Sequence, residues 1–79
     1  MISETLRKLM DDFIDTCREK GYSDSAIEAI GIICCSAEME EAVGSTEEGL
    51  SRVTEYVRTA KKPEEVMSFA HELASGEII

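Results

Sequence analysis

Seventy-nine residues suffice for one small domain, and a chain of this length buries only about 60–65% of the surface its unfolded form exposes. With 17 acidic against 8 basic residues, the formal charge of −9 argues against direct binding to a nucleic-acid backbone, which needs Lys and Arg to displace counterions. It argues equally against an anionic membrane surface.

No stretch approaches the ~20 apolar residues of a membrane span. The start, Met1-Ile2-Ser3-Glu4, has neither a basic lead nor an apolar run, so no secretory signal is expected. Three cysteines, Cys17, Cys34 and Cys35, two of them adjacent, form no disulfide framework and fit a reducing cytoplasm.

The first helix is predicted from about Glu4 to Lys20. Ser3 is its N-cap, and Leu6, Leu9, Met10, Phe13, Ile14 and Cys17 make one stripe at spacings of three and four. Gly21 supplies a left-handed stop, with Tyr22 as an apolar lid over the last turn. A second helix opens at Ser23 or at Ser25, which has Glu28 at capping-box distance. The run Ala26 to Cys35 is apolar nearly all round; Ile32-Ile33-Cys34-Cys35 alone would allow a buried strand, and the capped start and helical neighbours predict a central helix instead. Gly31 inside it costs about 1 kcal/mol relative to Ala, and a close helix crossing would offset that cost.

Ser36 either re-caps a short helix through Val43, with Met39, Ala42 and Val43 inward, or is passed over by a longer second helix. Gly44 ends both versions. The next helix starts at Ser45, with Glu48 at capping-box distance and Leu50, Val53, Val57 and Ala60 on its inner stripe. The last opens with Pro63 at its first position, buries Val66, Phe69, Ala70 and Leu73, and stops at Gly76. The apolar Ile78-Ile79 tail either folds back or serves a partner.

The expected architecture is therefore a single all-α bundle of four short helices, or five if Ser36 begins a separate one. Its predicted core is Leu6, Leu9, Phe13, Ile27, Ile30, Ile33, Cys34, Leu50, Val53, Val57, Val66, Phe69 and Leu73.

Little in the chain points to catalysis. There is one His, no phosphate loop and no evident nucleophile–base pair, so no enzyme, catalytic residue, cofactor or metal is expected. Cys34 and Cys35 lie in the most apolar stretch, where desolvation disfavours the thiolate, and are predicted to be small core residues. His71 follows the apolar stripe of the last helix and is expected to face solvent. Cys17, Cys34, Cys35 and His71 lack the paired spacing of a zinc site.

The charge is uneven. Between Gly21 and Ser51 there are seven acidic residues, Asp24, Glu28, Glu38, Glu40, Glu41, Glu47 and Glu48, and no Lys or Arg. The expected function is a non-enzymatic interaction or regulatory domain. Its contact face is Glu38, Glu40, Glu41, Glu47 and Glu48, with Met39 as an apolar anchor if it is exposed. A basic protein partner fits this face, including a nucleic-acid-binding protein whose site is masked. A homodimer is also compatible with so small a bundle.

Asp24-Ser25-Ala26 at the start of the second helix resembles the Asp-Ser-Leu motif of acyl carrier proteins, acidic helical domains of about this size. The segment Lys62 to Phe69 is similar to the carrier's final helix. The resemblance implies a phosphopantetheine arm on Ser25. The chain departs from the family in having Ala26 for Leu, and only Gly21-Tyr22-Ser23-Asp24 where a long loop belongs. Helix-cap chemistry accounts for Asp24 and Ser25 as well. Gly21-Tyr22 before a short helix is also similar to the loop of ubiquitin-associated domains, over a handful of residues.

Overall fold

The structure, a computed structural model, describes residues 3–60 and 62–77. The expected Ile78-Ile79 tail lies outside them. Among the described residues five helices follow in order: α1 (Glu4–Glu19), α2 (Asp24–Cys34), α3 (Ala37–Val43), α4 (Thr46–Thr59) and α5 (Pro63–Ala74). No strand occurs among the described residues. The molecule measures 29 × 29 × 19 Å, and its thin dimension corresponds to about two helix diameters, hence two layers.

Four of the five helices are started by a serine side chain. Ser3, Ser23, Ser36 and Ser45 accept from the backbone N–H groups of Leu6, Ala26, Met39 and Glu48 at 3.0–3.2 Å. Each such cap is worth about 1 kcal/mol. Ser23, not Ser25, is therefore the cap of α2. Ser36 does interrupt the second helical stretch, and its hydroxyl also donates to the Ile33 carbonyl at 2.7 Å, closing α2 while opening α3. In α5 Pro63 takes the first helical position and the Glu65 carboxylate accepts from the Lys62 backbone N–H at 2.9 Å.

The stops are also local. Gly21 has φ 82°, Gly21 N–H donates to the Arg18 carbonyl and Tyr22 N–H to the Cys17 carbonyl. This paired pattern folds the chain back so that Tyr22 lies against the end of α1, where it is buried. Lys20 Nζ reaches the Arg58 carbonyl at 3.0 Å, which joins the C-terminal ends of α1 and α4.

Among the described residues fourteen buried apolar side chains form one core. Of the predicted members, Phe13, Ile27, Ile30, Cys34, Leu50, Val53, Val57, Val66 and Leu73 are buried, while Leu6, Leu9, Ile33 and Phe69 pack against the core from partly exposed positions. Phe69 stacks on Tyr56, ring centroids 4.2 Å apart, tying α5 to α4. Cys17, Tyr22, Met39, Ala60 and Ala70 complete the interior. Thr16 and Thr54 are buried too, each donating its hydroxyl to the carbonyl four residues earlier at 2.7 Å.

The central helix is α4, not α2. It packs along α1 and also meets α2, α3 and α5. An apolar-all-round sequence predicts burial on every side, yet α2 turns only Ile27, Ile30 and Cys34 inward. Its opposite side stays open because α1 lies against α4 and barely touches α2.

The close approach that sequence pattern places at Gly31 also falls elsewhere. A methyl group on Gly31 would meet only Phe13 Cε2, at 3.7 Å. On Gly49 it would meet Met39 Cγ at 2.5 Å, Met39 Sδ at 3.0 Å and the Cys34 carbonyl at 3.5 Å. The missing side chain of Gly49 is what lets α3 lay Met39 on α4.

Candidate functional site

The acidic residues fall on α3 and the first turn of α4, joined by the Gly44–Ser45 turn. Gly44 adopts φ 100° to make that turn. Glu38, Glu40, Glu41 and Glu48 are exposed and Glu47 is half-buried. Glu38 and Glu41, three apart on α3, border one hollow together with Ala74, Ser75 and Gly76 at the end of α5. Glu48 is engaged by Arg52 Nε at 2.7 Å, one turn along α4. Such exposed pairs contribute about 0.3–0.5 kcal/mol, so Glu48 remains accessible.

No Lys or Arg belongs to α2 or α3. The described cations with acidic partners sit elsewhere: Lys8 with Glu4, Arg52 with Glu48, and Arg58 with Asp12 and Glu55.

Met39 is not an exposed anchor. It is fully buried, because the seven-residue α3 has its inward face at this position and Gly49 leaves room for the thioether. The exposed large apolar residue among those described is Ile32, at 66%. The apolar run around it reads as core in sequence, and only the separation of α1 from α2 leaves it uncovered.

The cysteines divide. Cys17 and Cys34 are fully buried, and burial pushes their thiols up to about 11 and about 12. A thiol held protonated is a poor nucleophile. Cys35 is exposed, contrary to its predicted place in the core. It caps α2 at φ −97°, one position after Cys34 faces inward, so its side chain swings out of the interior. Local desolvation raises its pKa as well.

His71 is exposed on α5 and borders a hollow with Ser36 and Glu38. Ser25 is exposed in the first turn of α2, and its hydroxyl makes no hydrogen bond among the described residues. Tyr22 presents a buried hydroxyl without a hydrogen-bond partner among the described residues. Burial raises its pKa, and the charges of Cys17, Glu65 and Glu64 add to the rise.

Among the described residues no group of three or more His, Cys, Asp or Glu side chains converges in a way that could hold a metal ion. None of the described helices is long and apolar enough to cross a membrane. No family model, curated protein or solved structure matches the chain.

Proposed function

We propose that this chain is a non-enzymatic interaction domain of the cytosol, working through the acidic surface of α3 and the start of α4. The observation that carries the proposal is charge segregation: Glu38, Glu40 and Glu41 stand exposed on a helix with no cation of its own, next to Glu47 and Glu48. The partner is a basic protein, and a nucleic-acid-binding protein with its basic site masked is the most specific form. Opposed surface fields of this kind speed encounter and weaken with salt.

Capture from a lysate of the native host by the immobilised chain, followed by mass spectrometry, tests the proposal. A basic partner retained at low salt, released as salt rises, and lost with the double substitution Glu40→Lys/Glu41→Lys supports it. Retention indifferent to both salt and charge reversal rejects this face.

One observation favours a second function. The Ser25 hydroxyl is exposed and takes no part in capping α2, so the serine of the carrier-like motif is accessible. Incubation with coenzyme A and a phosphopantetheinyl transferase, followed by intact mass measurement, decides it. An unchanged mass removes the carrier alternative.

A further inference from the structure

The weak contact between α1 and α2 leaves an open groove of about 300 Å³ between them. Met10 and Ile14 form its α1 bank; Ile27, Gly31, Ile32 and Cys35 form its α2 bank. Among the described residues Glu28 is the one charged member of its lining. Gly31 contributes no side chain and keeps the groove open. Ile32 also borders a second hollow, of about 360 Å³, beside Ile33, Ala74 and Glu38. It thus stands as an apolar ridge between two depressions, 66% exposed on a helix whose core stripe is elsewhere.

Ile32 is not among the residues packed on the core, and with the apolar lining of the two hollows it makes one continuous apolar surface, the kind that marks a docking site. Charge decides the occupant. A second copy would bring another net charge of −9 to a surface already lined by Glu28 and Glu38. A cationic helix meets no such opposition. The α1 bank carries both signs, with Arg7 and Asp11 near Met10, whereas α2 and α3 carry only negative charge.

We infer that the α1–α2 groove and the Ile32 ridge dock a cationic amphipathic helix of a partner protein. Its apolar side chains, at spacings of three and four, enter the groove, and its Lys or Arg residues lie over Glu28 and Glu38. This rests on the acidic interaction function proposed above and moves the apolar anchor from Met39 to Ile32.

The test uses the full chain, isotope-labelled for amide NMR, and two peptides of the same Leu and Lys composition. One, about 18 residues or five turns long, has helical amphipathic order; the other is scrambled. The amphipathic peptide is expected to shift Met10, Ile14, Gly31, Ile32 and Cys35 and to bind more tightly than its isomer. Ile32→Ser is expected to weaken binding by about tenfold or more without lowering the melting temperature, since the lost contact is apolar burial on binding alone.

Equal shifts with both peptides, confined to Glu38, Glu40, Glu41, Glu47 and Glu48, would overturn the groove while leaving the acidic surface standing. No shift with either peptide at low salt would remove both. Concentration-dependent shifts of the groove residues without peptide would assign it to a second copy and overturn the cationic helix.

Discussion

Replacing Gly49 by Ala sets two effects against each other. A helical Gly exchanged for Ala at a roomy site stabilises by about 0.5–1 kcal/mol, through the freedom removed from the unfolded chain. Gly31 is such a site, because the added methyl finds only Phe13 at ordinary contact distance, 3.7 Å. Gly49 is not, because the methyl arrives 2.5 Å from Met39 Cγ. Met39 is fully buried, so its side chain has no solvent to retreat into. Overpacking of this kind costs about 1–3 kcal/mol. Set against the same backbone gain, Gly49→Ala is expected to destabilise by roughly 0–2.5 kcal/mol. Gly31→Ala is expected to stabilise by about 0.5–1 kcal/mol. The two variants then differ by about 1–3 kcal/mol, at about 4–8 °C in melting temperature per kcal/mol for a domain of this size. Urea and thermal unfolding followed by helical circular dichroism measure both. Met39→Ala should relieve the clash, so the double variant with Gly49→Ala should be more stable than additivity allows. Equal stability of the two glycine variants would refute the close Met39–Gly49 approach.

Tyr22→Phe removes a buried hydroxyl that lacks a partner, and is expected to leave stability unchanged or raise it by about 1 kcal/mol in the same unfolding assay. In native protein one thiol of three, Cys35, should react with a thiol reagent, and Cys17 and Cys34 should follow only on unfolding; mass mapping of the labelled peptides identifies them. The buried thiols also set an alkaline limit. Their folded pKa values lie above the ordinary 9.0, so the unfolded chain releases protons first; stability is full below pH 9 and falls as pH rises toward about 11 and about 12. Unfolding midpoints flat across that window would contradict this. Ile30→Asp places an unpaired charge at a fully buried site and should cost about 4 kcal/mol or more, visible as loss of the cooperative transition.

The fold is largely legible in the sequence because its boundaries are made by adjacent residues. Ser3, Ser45, Pro63, Gly21, Gly44 and Gly76 act within one turn of themselves, so pattern alone locates them. Ser23 and Ser25 are equivalent on that criterion, and only the three-dimensional bond to Ala26 separates them. Ser36 is similar: whether α2 continues past it depends on the turn at Cys35. What sequence leaves hidden is partnership between helices. Gly31 and Gly49 are alike as letters, and the neighbour of each is a tertiary fact. Met39 among glutamates reads equally as anchor or core. Cys35 and Ile32 follow the apolar pattern of their neighbours but lie on the side of α2 that α1 leaves uncovered. The acidic row itself is plain from charge alone, whereas the groove beside it has no linear signature.

The chain has no Trp and two Tyr, and the packing gives each Tyr a different seam. Tyr56 lies parallel to Phe69 where α4 meets α5, while Tyr22 is sealed in where α1 gives way to α2. Near-ultraviolet optical signals therefore come from two separate joints, and single Tyr→Phe variants resolve them. The protein carries a built-in pair of chromophores with which loosening at one end can be told from loosening at the other, without any added dye.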